Sequence, residues 1–352
     1  MARLPTNPER IAILKPSALG DIVHALPVLS ALRQLYPKSQ ISWIVNRSYA
    51  GLIDGHPHLD QVLHFDRQAG QSGWLASIKE AGRMLRTIRQ QRFDLFIDLQ
   101  GLLRTGIMTQ FSRASIRMGL STAREGAAWC YNHVVPVATL QMHAVDRYWR
   151  VIEELGGAAL HKQFILPVSA EANHWAEDHL LAWPPPWIMI NLGTRWETKR
   201  WPVEHFVTLT RHIQHRYGGT ACLVGGPNEM HLSQAFAQAI GAEATVHDLV
   251  GRTHLQQLVA LLARADLVIS NDSGPLHIAD ALGRPVLAPF LCTSPMRTGP
   301  YQQPQGVEAT QVSCAASYLK KCQRMDCIRE LIPVRFYRHL EGLLQPWLKR
   351  SA

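Results

Sequence analysis

The stretch Leu267-Val-Ile-Ser-Asn-Asp-Ser-Gly-Pro-Leu-His277 decides the fold. Residues 267–270 are a short apolar run, the pattern of a strand buried in a parallel sheet. Asn271, Asp272, Ser273 and Gly274 are turn chemistry. Pro275 then stands where the first turn of a helix begins, and Leu276, Ile278, Ala279 and Leu282 continue that helix. A strand, a tight turn and a helix N-terminus follow one another directly. The backbone N–H groups at such a terminus are unpaired and the helix dipole is positive there, which suits a phosphate. Ser273 adds a hydroxyl donor, and Gly274 lets a ligand come close to the backbone. The same residues also suit an ordinary capped helix.

Working outward, the same alternation recurs on both sides. Upstream, apolar runs at 187–192, 221–224 and 246–249 read as strands. Helical periods at 204–217, 228–240 and 255–263 separate them, and 286–288 follows as a further strand. Residues 326–349 read as mostly helical, interrupted by Pro333 and Pro346. The first half of the chain repeats the scheme, with strands at 11–14, 41–45, 62–65, 93–99 and 133–137. A helix starts at Ile22, and others cover 74–91, 101–111 and 144–155, the last ended by Gly156 and Gly157. In the helix at 74–91, Leu75, Ile78, Met84, Leu85 and Ile88 are expected on one side. Composition shifts between 156 and 172. This predicts an α/β protein of two Rossmann-like doubly wound domains, 1–165 and 166–352. Ligands of such sheets bind outside the carboxyl ends of the strands. The informative loops are therefore 15–21, 98–104, 193–201, 225–229 and 271–277.

Composition narrows the function. A hydrophobic content of 47% with 18% charged residues is that of a globular protein, and no apolar run reaches membrane-spanning length. The polar first ten residues carry no apolar signal segment, so a cytoplasmic location is expected. The net charge of +9 favours an anionic partner. The basic residues are dispersed, with no Lys/Arg block and no aromatic-rich RNA-binding signature, which argues against nucleic acid. Cys314, Cys322 and Cys327 cluster near the end without the Cys-x-x-Cys pairs of common zinc sites. Gly-x-Gly-x-x-Gly, Gly-x-x-x-x-Gly-Lys and Gly-x-Ser-x-Gly are all missing. Dinucleotide dehydrogenases, P-loop NTPases and elbow hydrolases are therefore disfavoured. The Asp-x-Asp pair of metal-dependent sugar transferases is missing too.

Individual residues leave two readings open. Asp21, after Gly20 at a helix start, fits a capping carboxylate or a general base kept ionised by the helix N-terminus. The loop at 194–202 sets Arg195, Lys199 and Arg200 among two tryptophans. It reads as a solvated basic loop or as a diphosphate clamp folded against the protein. Glu229 suits a ribose hydroxyl or a first helical turn.

Taken together, "KPSALGDIVHALPVLSALRQLYP", "IDLQGLLRTG", "STAREGAAWCYN", "HAVDRY", "NLGTRWETKRWP", "LVGGPNE" and "NDSGPLHIADALG" resemble the ADP-heptose:lipopolysaccharide heptosyltransferases. They occur in that family's order over nearly the whole chain. The second, third and fourth look most like the branch that adds the first heptose to Kdo on lipid A. The resemblance implies a GT-B architecture, with two Rossmann-like domains facing a central cleft and a final helix free to pack back on the first. It implies inverting transfer from ADP-heptose without metal or other cofactor. Asp21 matches the catalytic aspartate and Lys199 the lysine on the donor phosphates. Thr194, Arg195, Glu229, Asp272, Ser273, Gly274 and His277 match donor-binding positions. Arg104, Arg124, His143 and Arg147 match basic positions on the acceptor side. Ser273 stands where many relatives have Thr, and Arg195 where many have Thr or a small residue. The implied partners are ADP-heptose, a lipid A-Kdo or inner-core acceptor and the anionic inner face of the inner membrane, where the protein is peripheral. A transferase of the same fold acting on another surface glycan, or a non-catalytic nucleotide-sugar-binding protein, are the competing expectations.

Overall fold

The structure is a computed structural model and describes residues 6–66, 73–242 and 244–348. The first residues of the chain and residue 349, the end of the last expected helix, lie outside the described residues. The chain divides into two compact units between Pro167 and Val168.

The first unit contains β1 (Arg10–Leu14), α1 (Leu19–Leu35), β2 (Gln40–Asn46), α2 (Arg47–Ala50), β3 (Gln61–Phe65) and α3 (Trp74–Gln91). It continues with β4 (Leu95–Asp98), α4 (Leu103–Ser112), β5 (Ile116–Leu120), β6 (His133–Val135) and α5 (Ala144–Glu154). Among the described residues its strands form one six-stranded parallel sheet in the order β3-β2-β1-β4-β5-β6. The order reverses between β1 and β4, which opens a crevice at their carboxyl ends. Register fixes what meets there: Leu14 pairs with Asp98. The strands β1, β2 and β4 are buried on both faces, as their apolar runs require, whereas the edge strand β3 is only partly covered.

The second unit contains α6 (Ala170–Leu181), β7 (Trp187–Asn191), α7 (Val203–Tyr217), β8 (Thr220–Leu223), α8 (Met230–Ile240), β9 (Val246–Asp248) and α9 (Leu255–Arg264). After these come β10 (Leu267–Ser270), α10 (Gly274–Ala281), β11 (Val286–Phe290), α11 (Pro295–Thr298), β12 (Val307–Ala309), α12 (Asp326–Glu330) and α13 (Val334–Leu348). Its six described strands are also parallel, in the order β12-β11-β10-β7-β8-β9. The reversal falls between β7 and β10, and Ser270 pairs with Asn191 there. The expected α/β, doubly wound architecture is thus present twice.

Several local expectations are corrected. β5 escapes a reading by apolar runs because Arg117 and Gly119 interrupt it. Gly119 is needed because the Tyr131 ring crosses it, where a Cβ would lie 2.2 Å from that ring. α6 is hidden because its core stripe is Ala172, Ala176 and Leu180, and two of these three are small. In α3 the core covers only part of the apolar side: Met84 and Ile88 are buried, whereas Leu75 and Ile78, in the first turns, are exposed. Pro333 does separate α12 from α13, but α13 runs past position 346 to Leu348. Its Phe336, Leu340 and Leu344 enter the second unit's own core beside Trp201 and Tyr217.

Candidate active site

At the crevice of the first unit, the loop after β1 delivers Lys15 and then the first turn of α1. Lys15 is a buried cation, and its Nζ donates to Leu99 O at 3.3 Å. Asp21 Oδ2 lies 3.9 Å from that Nζ. The same oxygen accepts the Ala18 N–H at 3.1 Å, so Asp21 does cap its helix. Its other oxygen accepts the Tyr148 hydroxyl at 3.3 Å, from α5. The side chain nevertheless stays 38% exposed, which leaves it open to a second molecule. Capping and base chemistry are therefore compatible: the cap fixes the carboxylate's position and the exposure makes it reachable.

Burial works against the charge of Lys15, but Asp21, Tyr148 and Asp98 outweigh it and hold its pKa above the ordinary lysine value. Burial also raises Tyr148, reinforced by Asp21 and opposed by Lys15. Asp98, buried at the end of β4, is pushed up by burial. Hydrogen bonds from Gly101 N–H, Tyr131 and Gln100 N–H oppose that shift. The crevice floor is thus a cation between two carboxylates.

The four residues expected on the acceptor side fall into two pairs on this unit. Arg124 N–H donates to Gly101 O at 2.8 Å, and Glu125 accepts the Leu103 N–H at 3.2 Å. These bonds set the exposed Arg124 loop beside the first turn of α4, which carries exposed Arg104. Gly101, at φ +66°, makes the turn that allows this. His143 caps α5 through Nδ1, which accepts Val145 N–H at 3.2 Å, and its ring lies 5.2 Å from that of His24 on α1. Arg147, one turn on, donates to Met142 O at 3.2 Å.

In the second unit the loops after β7 and β10 interlock. Lys199 Nζ lies 2.6 Å from Asp272 Oδ2 and 4.8 Å from the centre of the Trp196 ring. Asp272 is buried, and Thr293 donates to it at 2.7 Å while His277 Nε2 lies 3.5 Å away. Burial alone would raise its carboxyl, but His277 and Lys199 reverse this and hold it far below the usual carboxylate range. Asp272 therefore fixes Lys199 beside the N-terminus of α10, where Gly274 is the first helical residue. Thr194 is buried and donates to Asp272 O at 3.3 Å, while Arg195 is exposed on the same loop. Of the two loop tryptophans, Trp201 is fully buried against Phe206 and Phe336, and its backbone N–H donates to Asn271 Oδ1 at 2.9 Å. The loop is folded against the protein, as a clamp requires.

Glu229 stands in a slot between two glycines. A Cβ on Gly193 would lie 1.8 Å from its Oε1, and one on Gly225 2.1 Å from its Oε2. Oε2 accepts Gly226 N–H at 3.1 Å and Asn191 Nδ2 at 3.4 Å. Burial raises the Glu229 carboxyl above its ordinary value, and those two donors partly offset it. Asn191 Oδ1 in turn accepts the Ser273 hydroxyl at 2.7 Å, so that proton is directed at the carboxyl end of β7. Asn191 thus links Glu229 to the β10–α10 turn.

Sequence reasoning passed over Lys15, Tyr148, Asp98 and Asn191. For Lys15, Asp98 and Asn191 the available signal was a polar residue closing or directly following an apolar strand, at the end where such sheets bind ligands, whereas Tyr148 lies inside α5 and carries no such signal. Among the described residues, no group of His, Cys, Asp and Glu is arranged to hold a metal ion. All six cysteines are free, and Cys292, Cys314, Cys322 and Cys327 line one small pocket beside Thr198.

A model of glycosyltransferase family 9 (heptosyltransferase) matches residues 81–331, well over half of the chain. The chain belongs to that family. It is a glycosyltransferase, and its relatives span both units. The lipopolysaccharide heptosyltransferase 1 of Pseudomonas aeruginosa is 28% identical, over 95% of this chain and 98% of its own length. The lipopolysaccharide core heptosyltransferase OpsX of Haemophilus influenzae is 26% identical, over 84% and 82%. Among solved structures, E. coli heptosyltransferase WaaC with ADP superposes with a TM-score of 0.73 at 25% identity, over 95% of this chain and 99% of that one. The glycosyltransferase family 9 structure from Veillonella parvula gives 0.80 at 23% identity, over 98% and 100%, and supports the fold. This family 9 chain therefore has the GT-B type of fold expected of it. No described helix is long and apolar enough to cross a membrane.

Proposed function

We propose that this chain transfers L-glycero-D-manno-heptose from ADP-heptose to the Kdo/inner-core region of lipopolysaccharide, with inversion at the anomeric carbon. The acceptor hydroxyl attacks that carbon and a new C–O bond forms. Its proton passes to Asp21, the bond to the diphosphate breaks, and ADP leaves. The charge that develops on ADP is met by Lys199 and by the N–H groups at the start of α10. Thr194 and Arg195 complete the phosphate loop, Asp272 and His277 hold Lys199 in place, and Glu229 takes a ribose hydroxyl. Fixed cations and backbone donors meet the need that a metal meets in other transferases, so no cofactor is required. Arg104, Arg124, His143 and Arg147 receive the acceptor's carboxylate and phosphates, anions that guanidinium groups pair with in bidentate geometry. The acceptor is lipid-anchored, so the enzyme works in the cytoplasm, peripherally, at the anionic inner face of the inner membrane.

The observation that carries this reading is the geometry of Asp21. It is an exposed carboxylate at the switch point of the first sheet, held by Ala18 and Tyr148 beside the buried Lys15. Relatives named lipopolysaccharide heptosyltransferase 1 support the substrate class. The structure of E. coli WaaC with ADP-2-deoxy-2-fluoro heptose supports only the fold, since it is 22% identical. The test is product analysis with ADP-heptose and Kdo-lipid A: the acceptor should gain one heptose, in the inverted configuration. ADP-heptose binding without transfer to any inner-core acceptor would leave a binding protein and contradict the proposal.

A further inference from the structure

The outward face of α3 and α4 carries more apolar surface than folding explains. In α3, Trp74 is 71% exposed and Leu75 and Ile78 are exposed beside it. In α4, Leu103, Ile107 and Phe111 are exposed at successive i, i+4 positions, so they form one stripe. α3 packs beside α4, and α4 packs beside the turn at Ala127–Cys130. That last approach is close, since a Cβ on Gly106 would lie 3.1 Å from Ala127. The turn ends the row with Trp129, at 91% exposure. Three neighbouring elements thus line up exposed indoles and aliphatic side chains, the pattern of a docking surface rather than of scattered surface apolars.

Charge selects the occupant. α3 carries Lys79, Arg83, Arg86 and Arg89 against one carboxylate, Glu80, which is already paired with Arg83 at 2.5 Å. By helical spacing, Lys79 and Arg86 border the Trp74–Ile78 stripe along one side. Apolar residues with tryptophans, bordered by cations on one helix face, fit a segment lying in the interface of an anionic bilayer. Position agrees: Arg104, an acceptor-side residue, follows Leu103 of the stripe directly, and Arg124 is tied to the same helix start.

We infer that the α3–α4 face with Trp129 is the membrane-docking surface of this protein, and that its partner is an anionic lipid bilayer. This rests on the reading of the acceptor as lipid-anchored, but its test does not. Phosphatidylcholine vesicles with and without phosphatidylglycerol are sedimented with the full chain, without substrates. The native chain should bind the anionic vesicles. Trp74→Asp with Ile78→Asp, and separately Trp129→Asp, should each weaken that binding by about tenfold or more. Lys79→Glu with Arg86→Glu should weaken it too, and added salt should weaken it for the native chain. Leu181→Asp, at an exposed apolar site on α6, is the control and should bind like the native chain. Undiminished vesicle binding by the patch variants, with melting temperatures intact, overturns the inference. So does a native dimer that these variants split while their lipid binding stays unchanged, since the face would then meet a second copy. If lipid binding behaves as expected but no heptose is transferred, only the functional reading fails.

Discussion

Gly193→Ala tests the donor site through its tightest contact. The added Cβ would fall 1.8 Å from Glu229 Oε1 and 1.9 Å from Cδ, where ordinary contact begins near 3.4 Å. The carboxylate has to move by more than an ångström, and Gly225 closes the slot on its other side. Displacement breaks the bonds from Gly226 N–H and Asn191 Nδ2 and withdraws the group proposed to hold the ribose. A hydrogen bond to a charged group contributes about 1.5–3 kcal/mol. ADP affinity, measured by calorimetry, should therefore fall by about 10- to 160-fold. Thermal unfolding run alongside separates this from loss of fold. The sharper form is a double-mutant cycle with Glu229→Ala. With the carboxylate gone, Gly193→Ala has nothing to displace and should add little. Native-like ADP affinity in Gly193→Ala, or the same penalty in both backgrounds, would refute the slot.

Three further outcomes are expected. Turnover should persist in excess chelator, and Lys199→Ala should weaken ADP by about 1.5–3 kcal/mol through loss of one charge-assisted contact; abolition by EDTA with rescue by Mg²⁺ would contradict the cationic clamp. Arg124→Ala should raise the apparent KM for the acceptor and leave that for ADP-heptose nearly unchanged, and salt should affect the acceptor more, because exposed ion pairs are screened over about 8–10 Å. Lys15→Met removes a cation 3.9 Å from Asp21. At an effective dielectric of about 20 that contact is worth about 4 kcal/mol, and solvent screening at the exposed carboxylate reduces it to about 1 kcal/mol. Turnover should therefore fall by up to about fivefold while ADP affinity stays unchanged. Native-like turnover would remove Lys15 from the base's surroundings.

The fold was legible where apolar runs and punctuation agree. Residues 267–270 with Pro275 read directly as β10 and α10, and 11–14 as most of β1. It was not legible where tertiary contact overrides local pattern. Gly119 looks like a strand breaker but makes room for Tyr131. The row of apolar residues in α3 looks like a core face, yet the core takes only Met84 and Ile88 as fully buried members. In the site, Lys199, Glu229 and Asp272 were legible because each follows a strand. Lys15 and Asn191 were not, because their importance comes from register: β1 ends against Asp98 and β7 against Ser270, which no single segment reveals.

Asp21 is the residue on which the proposed chemistry depends most directly. Asp21→Asn keeps the side chain's shape and its capacity to accept from Ala18, but removes its basicity. Single-turnover transfer from ADP-heptose to Kdo-lipid A, followed by mass analysis of the product, should slow by roughly 10²–10⁴ with ADP affinity little changed. Transfer at near-native rate by the folded variant would show that another group takes the proton.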